Sequence, residues 1–277
     1  MLIRIYSLIK SNEHSKKFAY FGGSSVLAIA VSYLTMYMFN SELSKSEMGE
    51  YANYFNLLNL MVPLLTIGLY SAYLRFSSTH DLFQLESFVN KRLIFSFIAF
   101  ILLTYIIFDN FLLPIFGFII LYQERLYYFR STLNIKTYNL LNIGQKLLFL
   151  IMAFSIIKYG SFESNVEVLL LFLGLSYGGI WLLSVLFHKS KKSKEIYKKK
   201  IIDDKAKKLI IKFCVMVMLT DMVNWVLAVS DQVLIKFYFD AITLAPYAVS
   251  FRIVSMIGIF TGIFLSYYPV LYFRDLD

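Results

Sequence analysis

The sequence predicts an all-α protein, a polytopic bundle of about eight transmembrane helices. Three observations predict it. Hydrophobic residues are 58% of the 277, and the mean hydropathy is +0.65. Several apolar runs reach the ~20 residues that a helix needs to cross ~30 Å of hydrocarbon. Basic residues, finally, gather in alternate connections, as they do when a chain crosses a membrane repeatedly.

The first run, residues 18 to 39, follows Arg4, Lys10, Lys16 and Lys17. It is too long for a cleaved leader and has no small-x-small cleavage site after it, so it reads as a retained signal anchor. Residues 1 to 12 read as an interfacial segment. Further spans are expected at 54 to 74, 91 to 108, 111 to 130, 139 to 157, 166 to 187, 209 to 235 and 243 to 272. The division of 91 to 130 into two helices rests on Asp109-Asn110; merging them around a kink at Pro114 would put the basic segments 75 to 92 and 125 to 136 on opposite sides. With both termini cytoplasmic, the inner segments carry Arg75, Lys91, Arg92, Arg125, Arg130, Lys136, Arg274 and the ten lysines between Lys189 and Lys208. The outer segments carry only Lys45, Lys158 and Lys236, beside several acids.

Composition also narrows the chemistry. A single cysteine, Cys214, excludes a disulfide framework and a cysteine-based metal site, and the three histidines lack ligand spacing. No metal or other cofactor is expected. The net charge of +9 is concentrated at helix ends and in one loop, which is a topology signal and an anionic-lipid contact rather than a nucleic-acid surface. The lysine loop has no phosphate-binding glycine pattern, so an ATPase module is not expected.

A weak internal repeat runs through the chain. Lys16-Lys17, an apolar helix, Gly49-Glu50-Tyr51, a second apolar helix and Arg75-Phe76 match in order Lys207-Lys208, a helix, Ala245-Pro246-Tyr247, a helix and Phe273-Arg274, at a spacing close to 195 residues. The organisation expected is a six-helix N-terminal lobe (1 to 188), a cytoplasmic basic loop (189 to 208) and the first two helices of a second lobe (209 to 277).

Several motifs resemble the polysaccharide flippases of the multidrug/oligosaccharidyl-lipid/polysaccharide exporter superfamily. They are Lys17-Phe18, Ser46-Glu47-Met48-Gly49-Glu50-Tyr51, Gly68-Leu69, Arg75-Phe76, Ser230-Asp231 within the segment Trp225 to Val233, Pro246-Tyr247 and Tyr268-Pro269-Val270-Leu271-Tyr272. Each is degenerate; the resemblance lies in their order across nearly the whole chain. It implies a non-enzymatic transporter that moves undecaprenyl-pyrophosphate-linked oligosaccharide across a bacterial inner membrane for O-antigen or capsule synthesis. Its implied partners are that lipid-linked glycan, membrane lipids and other polysaccharide-assembly proteins. Such transporters have twelve or more helices, so the resemblance also implies a chain truncated after helix eight or completed by a partner.

Charges inside apolar runs are expensive and mark functional positions. Arg252, midway along helix eight, reads either as a bidentate phosphate ligand or as a structural partner of Asp221 or Asp231 on helix seven. Lys146 in helix five reads as a second phosphate ligand or a snorkelling lysine, and Arg75 at the end of helix two as a third ligand or an interface anchor. Asp221 and Asp231 are the candidates for coupling a proton or cation gradient, with Asn224 one turn from Asp221. Glu124, Arg125 and Gln123 form a polar cluster read as an inner-gate salt bridge or an interfacial group. Gly22, Gly23, Gly174, Gly178 and Gly179 permit close helix packing. Rival functions are a cation-coupled multidrug exporter of the same superfamily, which an acid-lined cavity would favour, a membrane-embedded polysaccharide-processing enzyme, for which no convergent acid-base set is found, and a non-transporting scaffold.

Overall fold

The computed structural model describes residues 13–110, 112–159, 166–189 and 202–255. The interfacial segment 1 to 12, most of the lysine loop, and the distal half of helix eight with Arg274 and the Tyr268 to Tyr272 motif lie outside the described residues. Within them the chain forms nine α-helices: α1 (Glu13–Glu42), α2 (Lys45–Thr66), α3 (Ala72–Phe76), α4 (Leu82–Phe108), α5 (Phe118–Ser131), α6 (Ile135–Tyr159), α7 (Val166–Lys189), α8 (Asp204–Tyr238) and α9 (Ala241–Val254). No strand occurs among the described residues. Five of the helices, α1, α4, α6, α7 and α8, are long and apolar enough to cross a membrane, and α2 with α3 makes a sixth if the bent pair counts as one span. The protein is an all-α, multi-pass membrane helix bundle.

Helices begin earlier than the apolar runs that predict them, because polar caps start them. Ser44 and Glu47 form a reciprocal capping box: Ser44 N–H donates to Glu47 Oε2 at 2.7 Å, and Glu47 N–H to Ser44 Oγ at 3.3 Å. Asp81, Asp203 and Asp240 each accept the N–H three residues on, at 2.9, 2.7 and 2.7 Å. Helix starts therefore fall at 45, 82 and 204, against the expected 54, 91 and 209.

The expected helix 54 to 74 is broken. Ile67 and Gly68 both adopt left-handed backbone, with φ of 50° and 61°, and α2 and α3 are bent 61° across the break. Gly68 is required for a second reason: a Cβ there would meet the Cys214 carbonyl oxygen at 2.9 Å, since α8 passes directly over the break. The expected division at Asp109 is present, because Asp109 closes α4 in the left-handed region at φ 48° and Leu113–Gly117 forms a 3₁₀ turn before α5. The predicted span 111 to 130 is consequently a turn plus a helix of 14 residues, not one continuous span.

Lipid tails are as apolar as leucine, so helices associate here through packing and polar contacts rather than hydrophobic transfer. Helix α2 is central, packing on α4, α7, α8 and α9, while α1 lies along α6 and α7 packs on α5 and α6. Gly174 lets α7 reach the Leu113–Gly117 turn, where a Cβ would stand 2.6 Å from the Ile115 backbone. The expected glycine contacts are not alike, however: Gly23 has nothing within 4 Å of a built Cβ.

The repeat becomes specific where α2 and α9 cross. The N-caps Ser44 and Asp240, then Tyr51 and Tyr247, Ala52 and Ala248, and Phe55 and Phe251, are each 196 residues apart. Ala52 packs with Leu244 and Ala248. One equivalent pair, Ala52 and Ala248, thus meets at the crossing.

Candidate functional site

Helix periodicity puts Tyr51 and Phe55, one turn apart, on one face of α2. Their rings stack with centroids 5.9 Å apart and planes 17° apart. Phe39 supports Tyr51 edge-on at 5.2 Å and Phe116 supports Phe55 at 6.3 Å, so the pair is a fixed aromatic floor. Arg252 of α9 lies on it, its guanidinium carbon 5.6 Å from the Tyr51 centroid and 5.4 Å from that of Phe55. Such contacts contribute about 0.5–2 kcal/mol, more as the cation is desolvated. The Arg252 backbone carbonyl accepts hydrogen bonds from the Tyr33 hydroxyl of α1 and, at 2.7 Å, from Ser255 Oγ.

Lys146 of α6 approaches the same place, close enough for its ammonium and the Arg252 guanidinium to repel one another. Its neighbour Gln145 is fully buried, donates from Nε2 to Ser176 Oγ at 2.9 Å, and holds Oε1 buried without a hydrogen bond among the described residues. Helical rise gives the depth. Phe55 lies about 15 Å from the start of α2, Arg252 about 17 Å from the start of α9 and Lys146 about 20 Å from the end of α6. All three distances are measured from the same end of the bundle, so the cations sit near mid-depth of ~30 Å of hydrocarbon.

No carboxylate pairs with either cation among the described residues. Arg252 is therefore not paired with Asp221 or Asp231 in the structure. Asp221 instead accepts the Tyr70 hydroxyl at 3.2 Å, beside the break between α2 and α3, and the Tyr70 and Tyr127 rings lie 4.7 Å apart. Asp231 accepts the Tyr247 hydroxyl and lies on the exposed side of α8 and α9. The site thus holds two like charges within electrostatic range, Arg252 resting on aromatic faces and neither paired with a carboxylate among the described residues.

The remaining predicted residues are elsewhere. Arg75, exposed at the end of α3, lies over Phe213 of α8 at 5.1 Å and over Phe76 at 5.7 Å, apart from Arg252 and Lys146. Glu124 and Arg125 are buried among the helices. Arg125 NH1 donates to Glu86 Oε1 at 2.8 Å and Tyr73 donates to Glu124 Oε1 at 2.7 Å, joining α3, α4 and α5. Glu86, Tyr73, Tyr70, Tyr33 and Phe55 went unnoticed in the sequence, and Tyr51 stood out only as a motif and repeat position. For Tyr51 and Phe55 a signal existed, the shared pattern Tyr-Ala-x-x-Phe at 51–55 and 247–251.

Comparison of the chain with protein families, with curated proteins and with solved structures returns no match.

Proposed function

We propose that this chain is a lipid-linked oligosaccharide transporter, or a part of one, that binds the pyrophosphate of an undecaprenyl-linked glycan between Arg252 and Lys146. One observation carries the reading: two cations from different helices lie within electrostatic range of one another near mid-depth, with no carboxylate partner among the described residues. A pyrophosphate crossing hydrocarbon needs fixed positive charge facing the bundle interior, and Arg offers a planar fork for its oxygens. The sugars would follow the pyrophosphate through the cleft while the polyprenyl tail stays in lipid. Asp221 is the residue proposed to couple a proton or cation gradient, since it lies where α8 crosses the break between α2 and α3. The cationic cradle also argues against a multidrug exporter of cationic substrates, which it would repel. No step requires bond-making by the protein, and none of these groups is given a catalytic role.

The test is glycan export in a bacterium that carries the complete assembly pathway. Arg252→Ala is expected to abolish surface glycan while the protein still inserts, and Arg252→Lys to restore it partly, because the ammonium keeps the charge and loses the fork. Full surface glycan in the Arg252→Ala strain would refute the reading.

A further inference from the structure

Among the described residues the most deeply buried acid is Glu124. Its residue is 3% exposed, and its carboxylate accepts one hydrogen bond, from Tyr73 at 2.7 Å. Arg125 Nε stands 3.1 Å from Glu124 Oε2 but is oriented so that it makes no hydrogen bond and is left buried without one. The guanidinium is shared with a second acid, donating to Glu86 through NH1 at 2.8 Å. A buried carboxylate is normally held by two or three donors. Glu124 has one, and that donor is neutral.

We propose that Glu124 is a proton-binding site, independent of the glycan reading. A neutral carboxylic acid suits this setting: it needs little solvation, can accept from Tyr73 on one oxygen, and relieves the like-charge opposition of Glu86 across Arg125. The groups acting on Glu124 among the described residues are Arg125 on its own helix, Tyr73 from α3 and Glu86 from α4, with Tyr128 one turn away; α6 and α7, packed on the rest of α5, supply none. Glu86, whose side chain is 15% exposed and lies one turn from the start of α4, is the acid of the pair nearer to solvent. Loss of the proton from Glu124 strengthens the Tyr73 hydroxyl contact, because a carboxylate is the better acceptor. It thereby ties α3, the short arm beyond the 61° bend, more firmly to α5.

The experiment is infrared spectroscopy of the purified full chain in lipid, following the C=O stretch of protonated carboxylic acids from acid to alkaline pH. The wild type is expected to show a band that disappears as pH rises and is missing in Glu124→Gln, but persists in Asp221→Asn. Glu86→Gln frees Arg125 to bond Glu124 and is expected to abolish the band at a pH where the wild type shows it, which provides a second route should Glu124→Gln fail to fold. A band unchanged in Glu124→Gln, or unchanged in Glu86→Gln, overturns the proposal. So does a wild type with no such band while folded.

Discussion

Replacing Gly49 with alanine should open the crossing of α2 and α9. A Cβ at Gly49 would stand 1.9 Å from the Ala241 carbonyl oxygen, 2.6 Å from its carbonyl carbon and 2.9 Å from its Cα. The obstacle is backbone and cannot swing aside. Restoring an ordinary carbon–oxygen contact requires about 1.4 Å of separation, from the ~3.3 Å at which such atoms normally meet. That displacement falls on the side chains sealing the crossing, Ala52, Leu244, Ala245 and Ala248, all at least 97% buried. Overpacking of a rigid contact costs up to about 3 kcal/mol, and the gain in helix propensity from Gly to Ala returns about 1 kcal/mol. The net loss is about 2 kcal/mol, a fall in unfolding temperature of roughly 4–8 °C for a chain of this size. Gly23→Ala is the control, with nothing within 4 Å of its added methyl, and should be neutral or stabilising. The assay is thermal unfolding of both variants in one detergent. If Gly49→Ala melts with the wild type and with Gly23→Ala, the close approach of α2 and α9 is wrong.

Two further outcomes follow from the same structure. The Thr243 N–H donating to Asp240 holds this carboxyl below the ordinary range, so its contribution to stability is present above the unfolded value of about 3.9 and is lost as pH falls through the lower folded value. Asp240→Asn keeps the cap and should lose that part of the acid dependence in thermal unfolding; identical acid profiles in variant and wild type would dismiss the role. In a Cys214→Ser background, single cysteines at Ser78 and Asn134 should label only from the cytoplasmic side and one at Ser41 only from the outside; the reverse pattern would invert the orientation read from the basic residues.

The helices were legible because a membrane demands long apolar runs, and the division at Asp109 because the charge pattern forbids merging across it. Helix starts were less so. The capping residues Ser44, Asp81 and Asp203 lie outside the apolar runs, where hydropathy is silent. The break at Ile67 was hidden because Gly68 alone does not signal it; the need arises from α8 crossing above, a contact between residues about 150 positions apart. The site was half legible. Arg252 and Lys146 stand out as charges in apolar runs, but the carboxylates on neighbouring α8 accept from Tyr70 and Tyr247 and do not pair with Arg252 in the structure. Its neighbours are Tyr51 and Phe55, two among 48 tyrosines and phenylalanines, distinguished only by the register of the repeat. Glu124 resembled an interfacial group because its partners Tyr73 and Glu86 come from other helices.

Binding of a water-dispersible, short-chain polyprenyl pyrophosphate to the purified full chain tests the central claim most directly, with the uncharged polyprenol as comparison and fluorescence of Trp225, whose indole donates to the Asn56 carbonyl on α2 at 3.0 Å, as readout. Saturable binding of the pyrophosphate alone is predicted. Arg252→Ala and Lys146→Ala should each weaken it by about 2 kcal/mol, roughly thirtyfold, the scale of a lost charged hydrogen bond. Equal binding of pyrophosphate and alcohol, or unchanged affinity in both variants, would contradict a membrane-depth anion site at Arg252 and Lys146.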